Sequence, residues 1–281
     1  MSVATHGGGA LPAWQGGSFL AGWAATRMGT HEAYYRHNTA YAEFLANWDE
    51  GFYAKYADTL RPARPGARVL DVGCGVGQVV RRLAGAGYEA YGVEVSEPNV
   101  ARARAAGLRC EVYDGRHLPF PDRHFAAAGA LNVLEHVEAP EAFLAELARV
   151  VEPGGRVVVS SPNFFRALGW RDYHPAMRGL GNKWRNLRRL LAKRRQMRRA
   201  PDTVRFDRMT PIVRPVFQPD DDAIVKTNGL EIAFFLERAG CVVEQVLCTD
   251  RYVSPWLDRL LNLTPLRYVM FNAFVVARRA A

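Results

Sequence analysis

The sequence predicts an α/β protein: a doubly wound, mostly parallel seven-stranded sheet with an N-terminal helical cover and a basic helical insert after the fifth strand. Three observations carry this. From residue 68 onward, short apolar runs alternate with amphipathic helical patterns across short connections, as in repeated βα units. The stretch "VLDVGCGVGQ" at 69–78 places Gly73, Gly75 and Gly77 at alternate positions directly after the first run. Glu94 lies nineteen residues beyond Gly75, at the end of the second run.

The elements follow in chain order. In residues 1–66, "HEAYYRHN" and "FLANWDEGFYAKYA" read as helices that cover the sheet. Tyr34, Tyr35, His31 and His37 are within reach of a ligand there, but aromatic stripes on helices are more often core. "RVLDVG" is a buried strand, and "GQVVRRLAGAG" is a helix with Val79, Val80 and Leu83 on one face. "YEAYGVEV" is the second strand. The helix "SEPNVARARAAG" has Ser96 to cap it, Pro98 in its first turn and Gly107 to close it. "LRCEVYD" and "HFAAAGALN" are strands three and four, and "PEAFLAELARVV" is a helix with Phe143, Leu144, Leu147 and Val151 on its inner face. "EPGG" turns the chain into "RVVVSSP", a continuous apolar run of parallel-sheet type. After the insert at 163–219, the helix "NGLEIAFFLERAG" and the strands "CVVEQVLC" and "RYVMFNAFVVARR" complete the sheet. The divisions are therefore 1–66, 67–162, 163–219 and 220–281.

Composition excludes several classes. With 281 residues, 49% hydrophobic and 11% aromatic, the chain can bury a full core. No apolar stretch approaches the roughly 20 residues of a membrane span. The N-terminus has no Lys or Arg before Arg27 and is broken by glycines, unlike a signal peptide, so a cytoplasmic location is expected. Cys74, Cys110, Cys241 and Cys248 are scattered without metal-ligand spacing, so buried thiols and no metal are expected. The net charge of +9 is local: residues 166–199 hold twelve Lys or Arg and one acid, Asp172, and the rest of the chain nets −2. Within that segment Met177, Leu180, Trp184, Leu187 and Leu191 recur at spacings of 3, 4, 3 and 4. Such a stripe is expected to pack on the core, with the arginines facing an anionic acceptor or membrane surface. Nucleic acid is the less suited polyanion, because the stripe offers leucines and one Trp rather than several stacking aromatics.

Ligands of doubly wound sheets bind outside the carboxyl ends of the strands, which places residues 71–77 at a site, and Glu94 is placed to accept from ribose hydroxyls. The glycines run G-x-G-x-G, and Gln78 stands where a dinucleotide fingerprint needs its third glycine. With "VLDVGCGVG", "YGVEVS", "YDGRHLPFPDRHF", "LNVLEHV" and "FLAELARVVEPGGRVVVSSPN" in order, residues 67–162 resemble the class I S-adenosylmethionine-dependent methyltransferases. The look is that of a type 11, quinone-biosynthesis-like small-molecule O-methyltransferase on a Rossmann-like sheet.

That resemblance implies S-adenosylmethionine as cofactor and S-adenosylhomocysteine as product. It implies that Gly73, Gly75 and Gly77 pass the methionine part, that Asp71 sets the loop and helps to hold the ammonium, and that Glu94 grips the ribose. Val95 would flank the adenine, Asp114 would accept from its amino group beside Gly115, and Asn132 would lie near the sulfonium. Taken singly, Asp114 reads as a turn residue and Asn132 as a cap. His136, with Glu135, is implied as the group that deprotonates an acceptor hydroxyl; lining the pocket is the plainer role. The acceptor class stays open: a sugar or glycolipid precursor, a quinone and a natural-product phenol all fit, anionic or lipid-linked acceptors among them. Nucleic-acid methylation is disfavoured, since "NVLEHV" replaces the Pro-Pro-aromatic motif of amino-methylating DNA enzymes and no Pro-Cys occurs. A cofactor-binding but non-catalytic partner, acting as a surface adaptor through the basic insert, is the remaining alternative. The sequence leaves the oligomeric state open.

Overall fold

The computed structural model describes residues 35–37, 50–169, 172, 174–212, 220–263 and 265–281. Most of the expected N-terminal cover, including His31 and Tyr34, lies outside the described residues. Seven strands form one sheet in the order β3-β2-β1-β4-β5-β9-β8. They are β1 (Arg68–Val72), β2 (Glu89–Glu94), β3 (Cys110–Val112), β4 (Phe125–Leu131), β5 (Val151–Pro162), β8 (Cys241–Leu247) and β9 (Asn272–Arg279). A short ribbon, β6 (Asp207–Arg208) with β7 (Val225–Lys226), belongs to the insert. Strands β1 to β5 pair in parallel, and β9 runs antiparallel to both β5 and β8. The strand order reverses between β1 and β4, so the loops after these two strands open the crevice of an α/β sheet.

The sheet divides the core by strand alternation. Leu70, Val72, Val157 and Val159 pack on one face with Leu144, Leu147 and Ile232. Val69 and Val158 pack on the other with Tyr56, Leu60, Leu83 and Phe274. Ser96 caps the helix Glu97–Ala105 by accepting from Asn99 N, and Gly107 follows that helix at φ +77°. All four cysteines are free and buried. Two boundaries differ from expectation. Strand β5 already begins at Val151, which pairs with Phe125, so Val151 belongs to the sheet and not to the preceding helix. In the final run, Leu266–Val269 forms a short helix, and the strand starts only at Asn272.

The insert folds around a twenty-residue helix, Leu180–Arg199. Its anchor is an ion pair between Lys193 Nζ and Glu231 Oε1 at 2.7 Å, with side chains 2% and 0% exposed. Glu231 also accepts from the Asn228 side chain, and the Arg205 carbonyl accepts from Lys193. Removing one partner of a buried pair strands the other charge. Lys193→Met is accordingly expected to lower the unfolding free energy by about 3–5 kcal/mol, and Lys193→Met with Glu231→Leu to recover most of that loss. Urea unfolding of the two variants measures both effects.

Candidate active site

The loop after β1 is held from within the chain. Gly73 N and Cys74 N donate to the Val93 carbonyl at 2.8 and 3.1 Å, and Gly75 N donates to Glu94 Oε2 at 3.0 Å. Glu94 Oε1 accepts from Ser96 N at 3.0 Å. Gly73, Gly75 and Gly77 all have positive φ, at +73°, +52° and +87°. At Gly73 the need is steric as well: a Cβ would lie 2.2 Å from a Val133 methyl group. The close approach that the sequence attributes to a ligand is thus made partly by the protein's own side chain.

Asp71 lies beneath this loop and accepts from the Tyr56 hydroxyl at 2.9 Å. Tyr56 reaches it by crossing Gly129 of β4, where an added Cβ would meet the phenol oxygen at 2.6 Å. Burial pushes Asp71 up to about 7, against the pull of the Tyr56 hydrogen bond and with a contribution from the charge of Glu94. Glu94 is also raised by burial, opposed by the backbone donors around it. Each carboxylate has about four lone-pair positions, so Glu94 keeps acceptor capacity beyond its two backbone partners. A glycine loop with left-handed backbone, flanked by two buried carboxyls, fits a nucleoside with an attached cationic group.

The other positions expected on the cofactor side are arranged less directly. Asp114 is exposed, and its Oδ1 accepts from Arg116 N and His117 N, both at 2.8 Å, which makes it a turn residue in its own right. Gly115 follows at φ +77°. Asn132 follows β4 at φ +52°, an uncommon conformation for a residue with a Cβ, and its N–H donates to the Ser160 carbonyl at 2.9 Å. Val95 is half-buried.

Beyond β4, Leu134–His136 makes one turn of 3-10 helix. Glu135 is fully buried; its Oε2 accepts from Ser161 Oγ at 2.8 Å, while Oε1 has no hydrogen-bond partner among the described residues. Burial, and then the charge of Asp220, hold Glu135 well above the ordinary carboxylate range, which favours its uncharged form. His136 Nε2 faces Glu135 Oε1 at 3.8 Å, and His136 Nδ1 faces Asp222 Oδ2 at 3.5 Å. Burial pushes Asp222 up to about 7. Tyr35 meets the imidazole edge-on with ring centroids 6.0 Å apart. Glu135, His136 and Asp220 present atoms within 4.8 Å of one another, a set also able to hold a cation.

Asp220 and Asp222 are the neighbours that sequence reading missed, and Tyr35 is one it named but set aside as core. The available signal was "PDDD" at 219–222, three acids in succession at the end of a basic insert. His37 turns elsewhere, its Nδ1 lying 3.3 Å from Glu97.

A family described as a methyltransferase domain matches residues 70–159, which reach from β1 into β5 and contain every site residue expected from the sequence, but not Tyr35, Tyr56, Ser161, Asp220 or Asp222. Residues 70–159 thus match a methyltransferase domain. Around it the chain is 42% identical over 113 residues to a rice 24-methylenesterol C-methyltransferase 2, covering 37% of this chain and 31% of the relative. It is 35% identical over 107 residues to the 27-O-demethylrifamycin SV methyltransferase of Amycolatopsis mediterranei, covering 35% and 39%. It is 37% identical over 115 residues to a demethylmenaquinone methyltransferase of Tropheryma whipplei, covering 38% and 48%. The matched stretch thus spans between about a third and a half of these curated relatives. Among solved structures, an S-adenosylmethionine dependent methyltransferase from Mesorhizobium loti superposes with a TM-score of 0.53 at 21% identity, covering 81% of this chain and 98% of the other. A second, from Listeria monocytogenes, gives 0.53 at 12% identity with 82% and 99% covered. The methyltransferase domain is therefore set in a fold that such enzymes share.

Proposed function

We propose that the chain binds S-adenosylmethionine over the glycine loop and transfers a methyl group to a hydroxyl oxygen of a small molecule, releasing S-adenosylhomocysteine. The observation that carries the choice of a hydroxyl is His136, placed one turn beyond β4 and set between the buried carboxyls of Glu135 and Asp222. On this reading Glu94 holds the ribose, and Asp71 favours the ammonium from below the loop. The backbone at Gly73, Gly75 and Gly77 leaves room for the methionine chain, Val95 flanks the base, Asp114 with Gly115 meets its edge, and Asn132 stands near the sulfonium. The cofactor supplies an electrophilic methyl group on sulfur, ready for in-line displacement.

The protein's part is to position the acceptor and take its proton. On this reading Asp222 Oδ2, 3.5 Å from Nδ1, favours the imidazole proton on that side and leaves Nε2 to accept the proton of the hydroxyl. The imidazolium that forms lies beside Asp222 as its counter-ion, and burial favours the uncharged form of Glu135. An acceptor with an anionic or lipid-linked part suits the cations of the insert.

Calorimetric titration is the direct test. S-adenosylmethionine is expected to bind with micromolar-range affinity and NAD not to bind; tight NAD binding, or no S-adenosylmethionine binding, overturns the reading. Cofactor binding without turnover on any hydroxyl acceptor, in a screen with labelled methyl donor, would instead support a non-catalytic partner.

A further inference from the structure

The basic helix does not pack by its apolar stripe. Its protein-facing side is Asn186, Leu190 and Lys193, all buried, with Met197 packed beside them. Asn186 Nδ2 donates to the carbonyls of Arg166 and Ala176 at 2.9 and 3.2 Å, and Lys193 holds Glu231. At about 100° per residue, Leu180, Trp184, Leu187 and Leu191 fall on another face, roughly a third of a turn away. Leu180 is 86% exposed, Trp184 61% and Leu191 57%. Core packing, the expectation from periodicity, is thus met only at Met177, before the helix, and partly at Leu187.

The exposed stripe forms one wall of an apolar groove of about 600 Å³, with Leu168, Pro265 and Val269 among the residues opposite. Lys183, Arg194 and Arg267 also line it. By helical position, Lys183 and Arg194 border the stripe on one side and Arg188 and Arg195 on the other, at about 100° per residue. Lys183, Arg189 and Lys193 have acidic partners, but exposed Arg188, Arg194, Arg195, Arg198 and Arg199 form no ion pair among the described residues. The helix contains no acid.

Charge selects the occupant. A second copy docked stripe to stripe would bring two such cationic helices together. A nucleic acid would satisfy the arginines and leave three leucines in water. An anionic bilayer offers hydrocarbon to the stripe and phosphates to the flanking cations, the arrangement of an interfacial amphipathic helix.

We propose that this face docks on an anionic lipid bilayer, with Leu180, Trp184 and Leu191 entering the headgroup boundary and the groove receiving a lipid acyl chain. The proposal stands apart from methyl transfer, since it uses none of the residues assigned to that reaction. Co-sedimentation of the full chain with vesicles of phosphatidylglycerol and phosphatidylcholine, against phosphatidylcholine alone, tests it at low and high salt. Binding is expected only to the anionic vesicles, and to weaken with salt. Leu180→Asp with Leu191→Asp is expected to reduce partitioning by about tenfold or more, the loss of two buried aliphatic contacts, while thermal midpoint and S-adenosylmethionine binding stay unchanged. Equal behaviour toward both vesicle types, or a double variant that partitions like the parent, overturns the proposal. So does tighter binding to duplex DNA than to anionic vesicles at the same salt, or a dimer in sedimentation velocity that the double variant abolishes.

Discussion

Replacing His136 by alanine is expected to lower turnover on an identified hydroxyl acceptor by about 10²–10⁴-fold, the usual worth of a positioned acid–base group. Cofactor affinity should stay nearly constant, because His136 stands beyond β4 and none of the glycine-loop contacts involves it. Asp222→Asn separates a base from a pocket wall. It removes the counter-ion 3.5 Å from Nδ1 but preserves shape, so kcat should fall with little change in KM. The pH profile follows from the raised Asp222 carboxyl. As pH rises through about 7 that group loses its proton and becomes the anion that favours the imidazolium, so kcat rises over the same range. The asparagine variant should lose that part of the rise. Less than about a tenfold drop in His136→Ala would mean that positioning alone carries the reaction and that the histidine lines the pocket.

Glu94→Ala is expected to weaken S-adenosylmethionine binding by two orders of magnitude or more, measured by calorimetric titration. Two charge-assisted hydrogen bonds to a ribose are worth about 1.5–3 kcal/mol each. The substitution does a second thing: it removes the acceptor of Gly75 N and of Ser96 N, both at 3.0 Å. Glu94→Gln divides these effects, since the amide retains one oxygen for the loop but carries no charge. Affinity indifferent to both variants and to Asp71→Ala would remove the nucleoside assignment from this crevice. Burial raises Glu94 and Asp71 together, so a cation bound near them is stabilised more as pH rises and they ionise. Cofactor affinity should therefore increase toward neutral pH in the parent and much less in Asp71→Asn.

Much of the sheet was legible because its strands announce themselves locally. Val69–Val72 and Val157–Val159 are apolar on both faces, as strands covered by helices must be, and the glycine loop marks the strand that opens the crevice. The place of Glu94 at the end of the second strand was likewise readable from its distance along the chain, but not its bonds to Gly75 N and Ser96 N. What stayed hidden is what depends on direction or on distant partners. Periodicity reveals that residues 177–191 contain an apolar stripe, but not that Asn186 and Lys193 outcompete it for the protein by finding the carbonyls of Arg166 and Ala176 and the carboxylate of Glu231. Asp222 could not be matched to His136 because the whole insert lies between them. Val133 filling the space over Gly73 was invisible for the same reason: the sequence records a missing side chain, not what takes its place.

Asp222 and Tyr35 approach His136 from far along the chain on either side, whereas the bonds that hold the glycine loop come from Val93 and Glu94, about twenty positions away. Contacts of short separation form early in folding, and those that must close long loops wait on the entropy of closure. The backbone bond from Ile224 N to the Glu135 carbonyl, at 2.9 Å, is of the second kind, since it pins the acidic turn against the histidine only after the insert has been laid down. The two halves of the crevice therefore differ in the loops that must close to build them: the glycine-loop side is held largely by contacts within β1 to β4, whereas the side around His136 needs the insert in place before Asp222 and Ile224 can reach it.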